Sequence, residues 1–315
     1  MALGTQRLGD RETDDGSFRR APSRFRRWVS TDGSTPYPAL AGRYHLYVAR
    51  ACPWAHRTII ARKLMGLEDA IGISFIDPIR DERGWHFSGE GYEDPVNGFE
   101  FLSEAYHATD PGYEGRISVP VLWDCERGEI VNNESADILR MLSTAFRELA
   151  EHPVELCPAQ LRVDIDELNA HIYENVNNAV YEAGFARSQA AYERAVAKVF
   201  ATLDELDARL AGRGFLFGDR PLETDWRLFT TLVRFDAVYH IHFKCSLRKL
   251  AEYQHLWPYA RELYQWPGVA DTVSFDEIRR HYYCTHRELN PTGRVAVAPA
   301  TQSLWGLPPR ETSER

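Results

Sequence analysis

Cysteine is scarce in this sequence. Five cysteines are spread over 315 residues, an odd number at wide spacing, and no two of them form a Cys-x-x-Cys pair. A disulfide framework and a structural zinc site of the knuckle type are therefore both disfavoured. The eleven histidines contain no His-Glu-x-x-His pattern, which would indicate a catalytic zinc. We expect no metal cofactor, and the question becomes which thiol is reactive.

The sequence also lacks an excess of positive charge and a long apolar run. Acidic residues outnumber basic ones by 46 to 37, which gives a net charge of −9 and disfavours binding to nucleic acid or an anionic membrane. No apolar stretch reaches the roughly 18 residues that span a bilayer, and the first residues lack the apolar core of a secretory signal. We therefore expect a cytoplasmic protein whose partners are small molecules.

The first part of the chain predicts an extension followed by a βαβ unit. Residues 1–40 are rich in Arg, Asp, Ser, Gly and Pro, which is typical of a segment with little regular structure. Residues 43–48 predict a strand that ends in a turn, after which Pro53 suits the start of a helix and Gly66 its end. Residues 71–76 predict the second strand.

The next segments complete the first predicted domain. Residues 77–116 form a long polar, glycine-rich stretch that predicts a functional loop. A hairpin is predicted from residues 117–123 and 129–131, and a helix over residues 136–149. The order of a βαβ unit, a hairpin and a helix is typical of a thioredoxin-like domain.

After residue 158 the pattern changes to long helices, and no strand of matching quality comes after it. The predicted helices cover residues 161–180, 188–210, 225–240, 256–264 and 276–284. The predicted fold class is thus an α/β domain followed by an all-α domain. The chain is predicted to consist of an N-terminal extension at 1–40, a thioredoxin-like domain at 41–152, a helical domain at 153–289, and an extended or disordered tail at 290–315.

Cys52 has the setting of a reactive thiol, because it lies just before Pro53 where a strand ends and a helix starts. Unpaired backbone N–H groups and the helix dipole stabilise an anion there, so the thiolate is favoured. A buried structural role is the alternative for Cys52, and it is the better interpretation for Cys125, Cys157, Cys245 and Cys284. His56 lies further along the same helix, but its side chain points away from a group beyond the helix end. We therefore do not expect His56 to be the base.

Two dipeptides are further candidates for ligand contacts. Val119-Pro120 indicates either a cis peptide that exposes the Val119 backbone to a ligand or an ordinary proline in an edge strand. Glu134-Ser135 lies at a predicted helix start, where it either caps the helix or holds the amine and carboxylate of a ligand. The sequence leaves both alternatives open for each pair.

Several segments together carry a family resemblance. They are residues 44–48, 51–58, 81–85, 131–135, 227–236 and 281–283. The run Cys-Pro-Trp-Ala at 52–55 and the run Leu-Phe-Thr-Thr-Leu-Val-Arg-Phe-Asp at 228–236 are specific in combination. From about residue 15 to residue 291, the chain resembles the glutathionyl-hydroquinone reductases, the xi class of glutathione transferases.

The resemblance implies a thioredoxin-like domain and a helical domain, usually in a homodimer, with glutathione as co-substrate. It also implies that Cys52 is the catalytic thiol. The implied glutathione contacts are Trp85, which would cover glutathione, the backbone of Val119 at Pro120, and a γ-glutamyl clamp of Glu134 and Ser135. The implied contacts to the hydroquinone ring are Tyr181 and Tyr282 as catalytic groups, with Tyr283 as a third substrate contact.

The implied reaction agrees with the chemistry of these residues. Attack of the Cys52 thiolate on the glutathionyl sulfur would leave a Cys52–glutathione mixed disulfide, while phenol hydroxyls relay the proton that the ring must gain. A second glutathione would then release glutathione disulfide. A general thioltransferase or dehydroascorbate reductase would share this thiol and is the nearer alternative. A conjugating transferase would use a Ser or Tyr hydroxyl, and a non-catalytic ligand-binding module on the same fold is the remaining alternative.

Overall fold

The computed structural model describes residues 11–307. The first ten residues of the predicted extension and residues 308–315 of the predicted tail lie outside the described residues. Between residues 11 and 307, no helix is both long and apolar enough to cross a membrane.

The described part of the N-terminal extension packs against the rest of the protein. It contains a small antiparallel ribbon of strands β1 (Arg11–Glu12) and β2 (Phe18–Arg19), which the sequence did not predict. Residues 20–40 have almost no regular secondary structure, as predicted, yet Phe25, Val29 and Tyr37 are buried in the core. These apolar anchors hold an irregular segment in place because their burial offsets its loss of chain entropy.

A four-stranded mixed sheet forms the centre of the first half. Its strands are β3 (Tyr44–Val48), β4 (Ile71–Phe75), β5 (Val121–Asp124) and β6 (Glu129–Asn132). The order is β4-β3-β5-β6, with β3 and β4 parallel and the other two pairs antiparallel. All five residues of β3 are buried because this central strand is covered on both faces.

Helix α1 (Pro53–Met65) crosses between the two parallel strands and completes the predicted βαβ unit. Pro53 occupies the first turn, where its missing N–H would have no helical partner. Gly66 ends the helix with φ at 61°, a left-handed conformation that other residues adopt at a cost. The turn that carries Cys52 therefore lies directly before the start of a well-defined helix.

The prediction of one loop over residues 77–116 is wrong in part, because helix α2 (Leu102–Thr109) lies within it. Ala105 and Tyr106 bury one face of this helix. The Glu104 carboxylate accepts hydrogen bonds from two backbone N–H groups at the helix start, at 2.9 and 2.8 Å. Two turns of helix present too few apolar positions for a periodic pattern to stand out from the polar surroundings.

The remaining helices form the second half, after α3 (Ser135–Ser143) closes the first. Residues 153–289 contain helices and turns but no strand, as predicted. The helices are α4 (Arg162–Ile172), α5 (Ala179–Phe185), α6 (Gln189–Arg209), α7 (Glu223–Arg234), α8 (Leu256–Gln265) and α9 (Phe275–Thr285). Helix α1 packs against α3 on one side and α7 on the other, so it joins the two halves.

Two π-helical turns interrupt helices that the sequence predicts as continuous. The first covers Tyr173–Asn177, between α4 and α5, and the second covers Phe235–Tyr239, after α7. A π turn inserts a residue and rotates every side chain beyond it, and such turns are frequent at functional sites. The predicted helices at 161–180 and 225–240 therefore have the right location, but neither is a continuous α-helix over its predicted length.

The described part of the tail is docked on helix α8. It has little regular structure, but Trp305 is buried, and its ring centroid lies 4.8 Å from that of Trp257. The Arg261 guanidinium donates a hydrogen bond to the Leu304 carbonyl at 2.8 Å. The end of the described tail, around Leu304 and Trp305, is therefore packed against the helical half, whereas Val297 is exposed.

Four buried histidines make folding sensitive to acid. Burial lowers the pKa of His281 to about 3 and those of His45 and His242 to about 4, and it holds the pKa of His56 well below its usual value of 6.5. The unfolded chain thus binds more protons below pH 6.5. The contribution of these histidines to stability is complete above that pH and falls on acidification, by about 1.4 kcal/mol per pH unit for each histidine.

Urea unfolding at about pH 7.5 and about pH 5 measures this loss. In His242→Phe, the slope of the unfolding free energy against pH should be smaller by the contribution of one histidine, about 1.4 kcal/mol per pH unit. Replacing the exposed His152 by Gln should leave the slope unchanged. Equal stability of the unaltered protein at both pH values would contradict the prediction.

Candidate active site

A cavity of about 790 Å³ opens between the two halves of the molecule. Its walls come from the N-terminal extension, the sheet domain and the helical half. Eight of the nine predicted site residues line it, namely Cys52, Trp85, Val119, Pro120, Glu134, Ser135, Tyr181 and Tyr282. The fold thus brings together residues that are up to 230 positions apart in the chain.

Tyr283, the ninth predicted residue, lies outside this cavity. Its hydroxyl donates a hydrogen bond to the Ala237 carbonyl at 3.3 Å, and its ring packs at 4.9 Å from that of His242. His281 and Tyr282 of α9 line the cavity, whereas the Tyr283 side chain, about 100° further round the helix from Tyr282, packs against Ala237 and His242. The structure therefore does not support the predicted substrate contact of Tyr283.

Cys52 occupies the position before the first residue of α1, and its sulfur lies 3.8 Å from the Val119 carbonyl oxygen. The Val119–Pro120 peptide is cis, one of the two alternatives that the sequence leaves open. Only 9% of the Cys52 surface is exposed, and that surface faces the cavity. The thiol is accessible to a ligand in the cavity but is otherwise shielded.

A side chain from the helical half holds the turn before Cys52. The Arg234 guanidinium donates hydrogen bonds to the carbonyls of Ala51 at 3.0 Å and Arg50 at 2.7 Å. It also donates to His56 Nδ1 at 3.1 Å, so the His56 proton is on Nε2, which donates to Thr272 at 2.8 Å. His56 is therefore a neutral link between the two halves, in agreement with its exclusion as the base of Cys52.

Glu134 and Ser135 lie at the start of α3, on a second wall of the cavity. The Glu134 carboxylate accepts hydrogen bonds from the Ser23 hydroxyl at 3.0 Å and the Ala136 N–H at 3.3 Å. The Ser135 hydroxyl accepts one from the buried Arg57 at 3.3 Å. Arg57 was missed from the sequence, although a polar run at residues 56–58 in the first turns of α1 was a usable signal.

Trp85 packs against a histidine and an arginine. Its ring stacks on His281, with centroids 5.0 Å apart and planes at 8°, and the Arg80 guanidinium carbon lies 5.0 Å from the Trp85 centroid. His281 Nδ1 donates to the Pro78 carbonyl at 2.6 Å, which fixes the imidazole ring. The indole is thereby held rigidly in the cavity wall, although it belongs to a loop.

Three buried tyrosines form a chain of hydroxyls. The Tyr282 hydroxyl lies 2.6 Å from that of Tyr181 and 3.0 Å from that of Tyr239. Burial raises the pKa of all three phenols, and the nearby Cys52 adds to the rise at Tyr181. All three therefore stay protonated at neutral pH and can donate hydrogen bonds. Tyr239, which lies in the π turn at Phe235–Tyr239, was not among the predicted site residues.

A thioredoxin-like sheet domain followed by a helical domain is the architecture of the glutathione transferases, and here a cysteine at the start of the first helix lines the cavity between the two domains. Family models agree: residues 51–145 match the glutathione S-transferase N-terminal domain and residues 189–262 the C-terminal domain. The predicted fold class is confirmed.

Close relatives identify the particular branch. The chain is 47% identical over 300 residues to the glutathionyl-hydroquinone reductase YqjG of Escherichia coli, covering 92% of this chain and 91% of that protein. It is 44% identical over 300 residues to the glutathionyl-hydroquinone reductase PcpF of Sphingobium chlorophenolicum, covering 95% and 94%. The chain belongs to the xi-class glutathione transferases, the family of the glutathionyl-hydroquinone reductases.

Solved structures show the same architecture. The xi-class transferase of Phanerochaete chrysosporium superposes with a TM-score of 0.89 at 44% identity, covering 92% of this chain and 95% of that one. The glutathione-bound structure of YqjG superposes with a TM-score of 0.85 at 48% identity, covering 88% and 92%.

Proposed function

We propose that this protein reduces glutathionyl-hydroquinones to hydroquinones, with glutathione as the reductant. The observation that carries the proposal is the shared cavity of Cys52 and the protonated Tyr181–Tyr282 pair. A thiol placed at a helix start is suited to attack the sulfur of a glutathione conjugate. The phenols are suited to supply the proton that the departing ring requires.

Glutathione in this proposal occupies the wall that the first half contributes. The Val119 backbone, next to the cis peptide bond to Pro120, binds the cysteinyl unit of glutathione. The Trp85 ring packs over the bound glutathione. Glu134 and Ser135 bind its γ-glutamyl group, since a carboxylate can accept hydrogen bonds from an ammonium group and helix N–H groups can donate to a carboxylate. The sulfur of a bound conjugate then faces Cys52, and the quinol ring faces the tyrosines.

The first chemical step breaks the ring carbon–sulfur bond. The Cys52 thiolate attacks the glutathionyl sulfur, a disulfide bond forms, and the electron pair of the carbon–sulfur bond moves to the ring. The ring carbon gains a proton, which the Tyr181–Tyr282 chain delivers to the quinol. Free hydroquinone leaves, and the enzyme is left as the Cys52–glutathione mixed disulfide.

The second step restores the enzyme. A second glutathione thiolate attacks the glutathionyl sulfur of the mixed disulfide, which releases glutathione disulfide and the Cys52 thiolate. No second enzyme thiol takes part, because Ala55 stands where a dithiol enzyme has its resolving cysteine. In sum, the conjugate is reduced by two electrons and two glutathionyl groups are joined as the disulfide.

Parallel assays test the proposal against its alternatives. The purified protein is given a glutathionyl-hydroquinone, dehydroascorbate and chlorodinitrobenzene in separate reactions with glutathione. We expect the highest kcat/KM with the glutathionyl-hydroquinone. Preference for dehydroascorbate would indicate a general thioltransferase, preference for chlorodinitrobenzene a conjugating transferase, and no turnover of any substrate a ligand-binding module.

Trp85 provides a direct signal for glutathione binding. Titration with glutathione should change the indole fluorescence of the unaltered protein, because a ligand against the Trp85 ring changes its surroundings. The sequence has eight tryptophans, so the informative comparison is Trp85→Phe, in which we expect most of the change to disappear. Trp28→Phe is the matched control, since Trp28 lies in the extension and outside the cavity. An undiminished response in Trp85→Phe would refute this placement.

The proposal also covers the domain boundaries, the oligomeric state and the location of the protein in the cell. The sheet domain spans residues 41–152 and the helical domain residues 153–289, with two chains forming a homodimer. The cytoplasm, where glutathione is kept reduced, supplies the reductant that the second step consumes.

A further inference from the structure

The N-terminal extension contributes a cation to the aromatic end of the cavity. Arg20 lines the cavity directly after strand β2. Its guanidinium carbon lies 4.7 Å from the ring centroid of Tyr181 and 5.1 Å from that of Trp54. Its Nε–H donates a hydrogen bond to the Asn178 side-chain oxygen at 3.1 Å. With the Phe18 ring, whose centroid lies 5.6 Å away, three rings and one amide thus hold a permanent charge at the cavity wall.

The chain segment that carries Arg20 is held in place from the helical half. The Ser188 hydroxyl donates to the Asp15 carbonyl at 2.8 Å, and the Arg187 N–H donates to the Gly16 carbonyl at 2.9 Å. On the other side of Arg20, the Ser23 hydroxyl donates to Glu134 at 3.0 Å. The segment is therefore anchored on both sides of Arg20, which positions the guanidinium before any ligand enters.

The neighbours of Arg20 belong to the quinol end of the proposed site. Tyr181 is one of the phenols that we place against the quinol ring, and Trp54 lies two residues after Cys52 and also lines the cavity. A guanidinium stacked on aromatic rings keeps its charge and its planar N–H donors. Such a group binds a carboxylate or a phenolate more tightly than neutral donors do.

We propose that Arg20 binds an anionic oxygen on the quinol ring and so makes the enzyme selective for glutathionyl-hydroquinones that carry one. The inference rests on the proposed function and names a substrate class for it. The anionic oxygen is either a ring carboxylate or a ring hydroxyl that neighbouring halogens make acidic. In both, the guanidinium compensates a charge that the buried phenols alone would leave in a poorly solvated site.

The test compares Arg20→Gln and Arg20→Lys with the unaltered enzyme. The substrates are glutathionyl-hydroquinones with a ring methyl, a ring carboxylate or two ring chlorines. In Arg20→Gln, the ratio of kcat/KM for the carboxylate over the methyl substrate should fall about 10- to 100-fold, as expected for the loss of a charge-assisted hydrogen bond. Arg20→Lys keeps the charge without the planar fork and should lose less. A fall with the chlorinated substrate as well would extend recognition to the phenolate.

The matched control is Arg19→Gln. Arg19 is the last residue of strand β2, directly before Arg20, and its side chain is exposed and lies outside the cavity. It should leave the substrate ratio unchanged. An equal loss with methyl and carboxylate substrates in Arg20→Gln would overturn the proposal in favour of a packing role. A raised KM for glutathione with an unchanged substrate ratio would overturn it in favour of a contact to a glutathione carboxylate.

A binding measurement separates this proposal from the proposed function. Calorimetry with 2,5-dihydroxybenzoate and with methylhydroquinone measures quinol affinity without any turnover. The unaltered protein should bind the carboxylated quinol more tightly, and Arg20→Gln should abolish that preference. This result would support the binding role of Arg20 even if the enzyme turned over no glutathionyl-hydroquinone. A lack of turnover would refute the proposed function but would leave the role of Arg20 standing. Equal affinity of the unaltered protein for both quinols would overturn the role of Arg20.

Discussion

Replacing Cys52 by Ser should abolish the reduction of glutathionyl-hydroquinones, with a loss of at least about 10³-fold in kcat. A serine hydroxyl in the same place is far less nucleophilic towards sulfur and cannot form a mixed disulfide. Two measurements detect the change: steady-state turnover, and intact mass after incubation with glutathione disulfide. The unaltered protein should gain the mass of one glutathionyl group, and Cys52→Ser should not.

The other cysteines are the controls for this prediction. Cys125 is exposed in the turn between β5 and β6, so the predicted buried role is wrong for this cysteine; because it does not lie at a helix start, Cys125→Ala should keep most of the activity. The same is expected for Ala at Cys157, Cys245 and Cys284. Full activity in Cys52→Ser would overturn the mechanism, and comparable loss in Cys125→Ala would show that the effect is not specific to the helix-start thiol.

Replacing Tyr282 by Phe should lower the turnover of glutathionyl-hydroquinone by about 10²-fold. The Tyr282 hydroxyl is the middle member of the phenol chain, 2.6 Å from that of Tyr181 and 3.0 Å from that of Tyr239, so its removal interrupts the proton path. Tyr181→Phe should have a similar effect. Reduction of a simple disulfide through Cys52 needs no ring protonation and should survive in both variants.

Tyr283→Phe is the matched control, because Tyr283 is the next residue of α9 and its hydroxyl bonds to a backbone carbonyl outside the cavity. It should keep most of the hydroquinone reductase activity. The readouts are both activities and the melting temperature of each variant. If Tyr282→Phe lost both activities equally, with a matching fall in melting temperature, its hydroxyl would have only a packing role.

Local patterns predicted the part of the fold that near neighbours control. The helix between Pro53 and Gly66 has the predicted location because proline and glycine act within one turn of the chain. Helix α2 was missed because its two turns carry only three buried residues among polar ones. The helical half was predicted as a class, whereas its two π turns were not, since no local sequence rule marks an inserted residue.

The residues of the candidate site likewise fall into those that local sequence features predict and those that depend on contacts between distant segments. The residues themselves predicted a reactive Cys52, because a strand end and a helix start are local features. Family resemblance added Trp85, Tyr181 and Tyr282, and the structure places them in one cavity with Cys52. The roles of Arg234, Arg57 and Tyr239 depend on contacts between segments far apart in the chain, which no local pattern encodes.

The sequence by itself determined the order of the elements, the junction that carries Cys52 and the change from a sheet domain to a helical one. Short-range propensities and hydrophobic periodicity encode these features within a few residues. Only the tertiary structure decided that Tyr181 and Tyr282, 101 positions apart, share a hydrogen bond and that Tyr283 does not join them. Helix phase and the packing of distant segments set those contacts, and burial then sets the protonation states, because desolvation depends on what the whole fold places around a group.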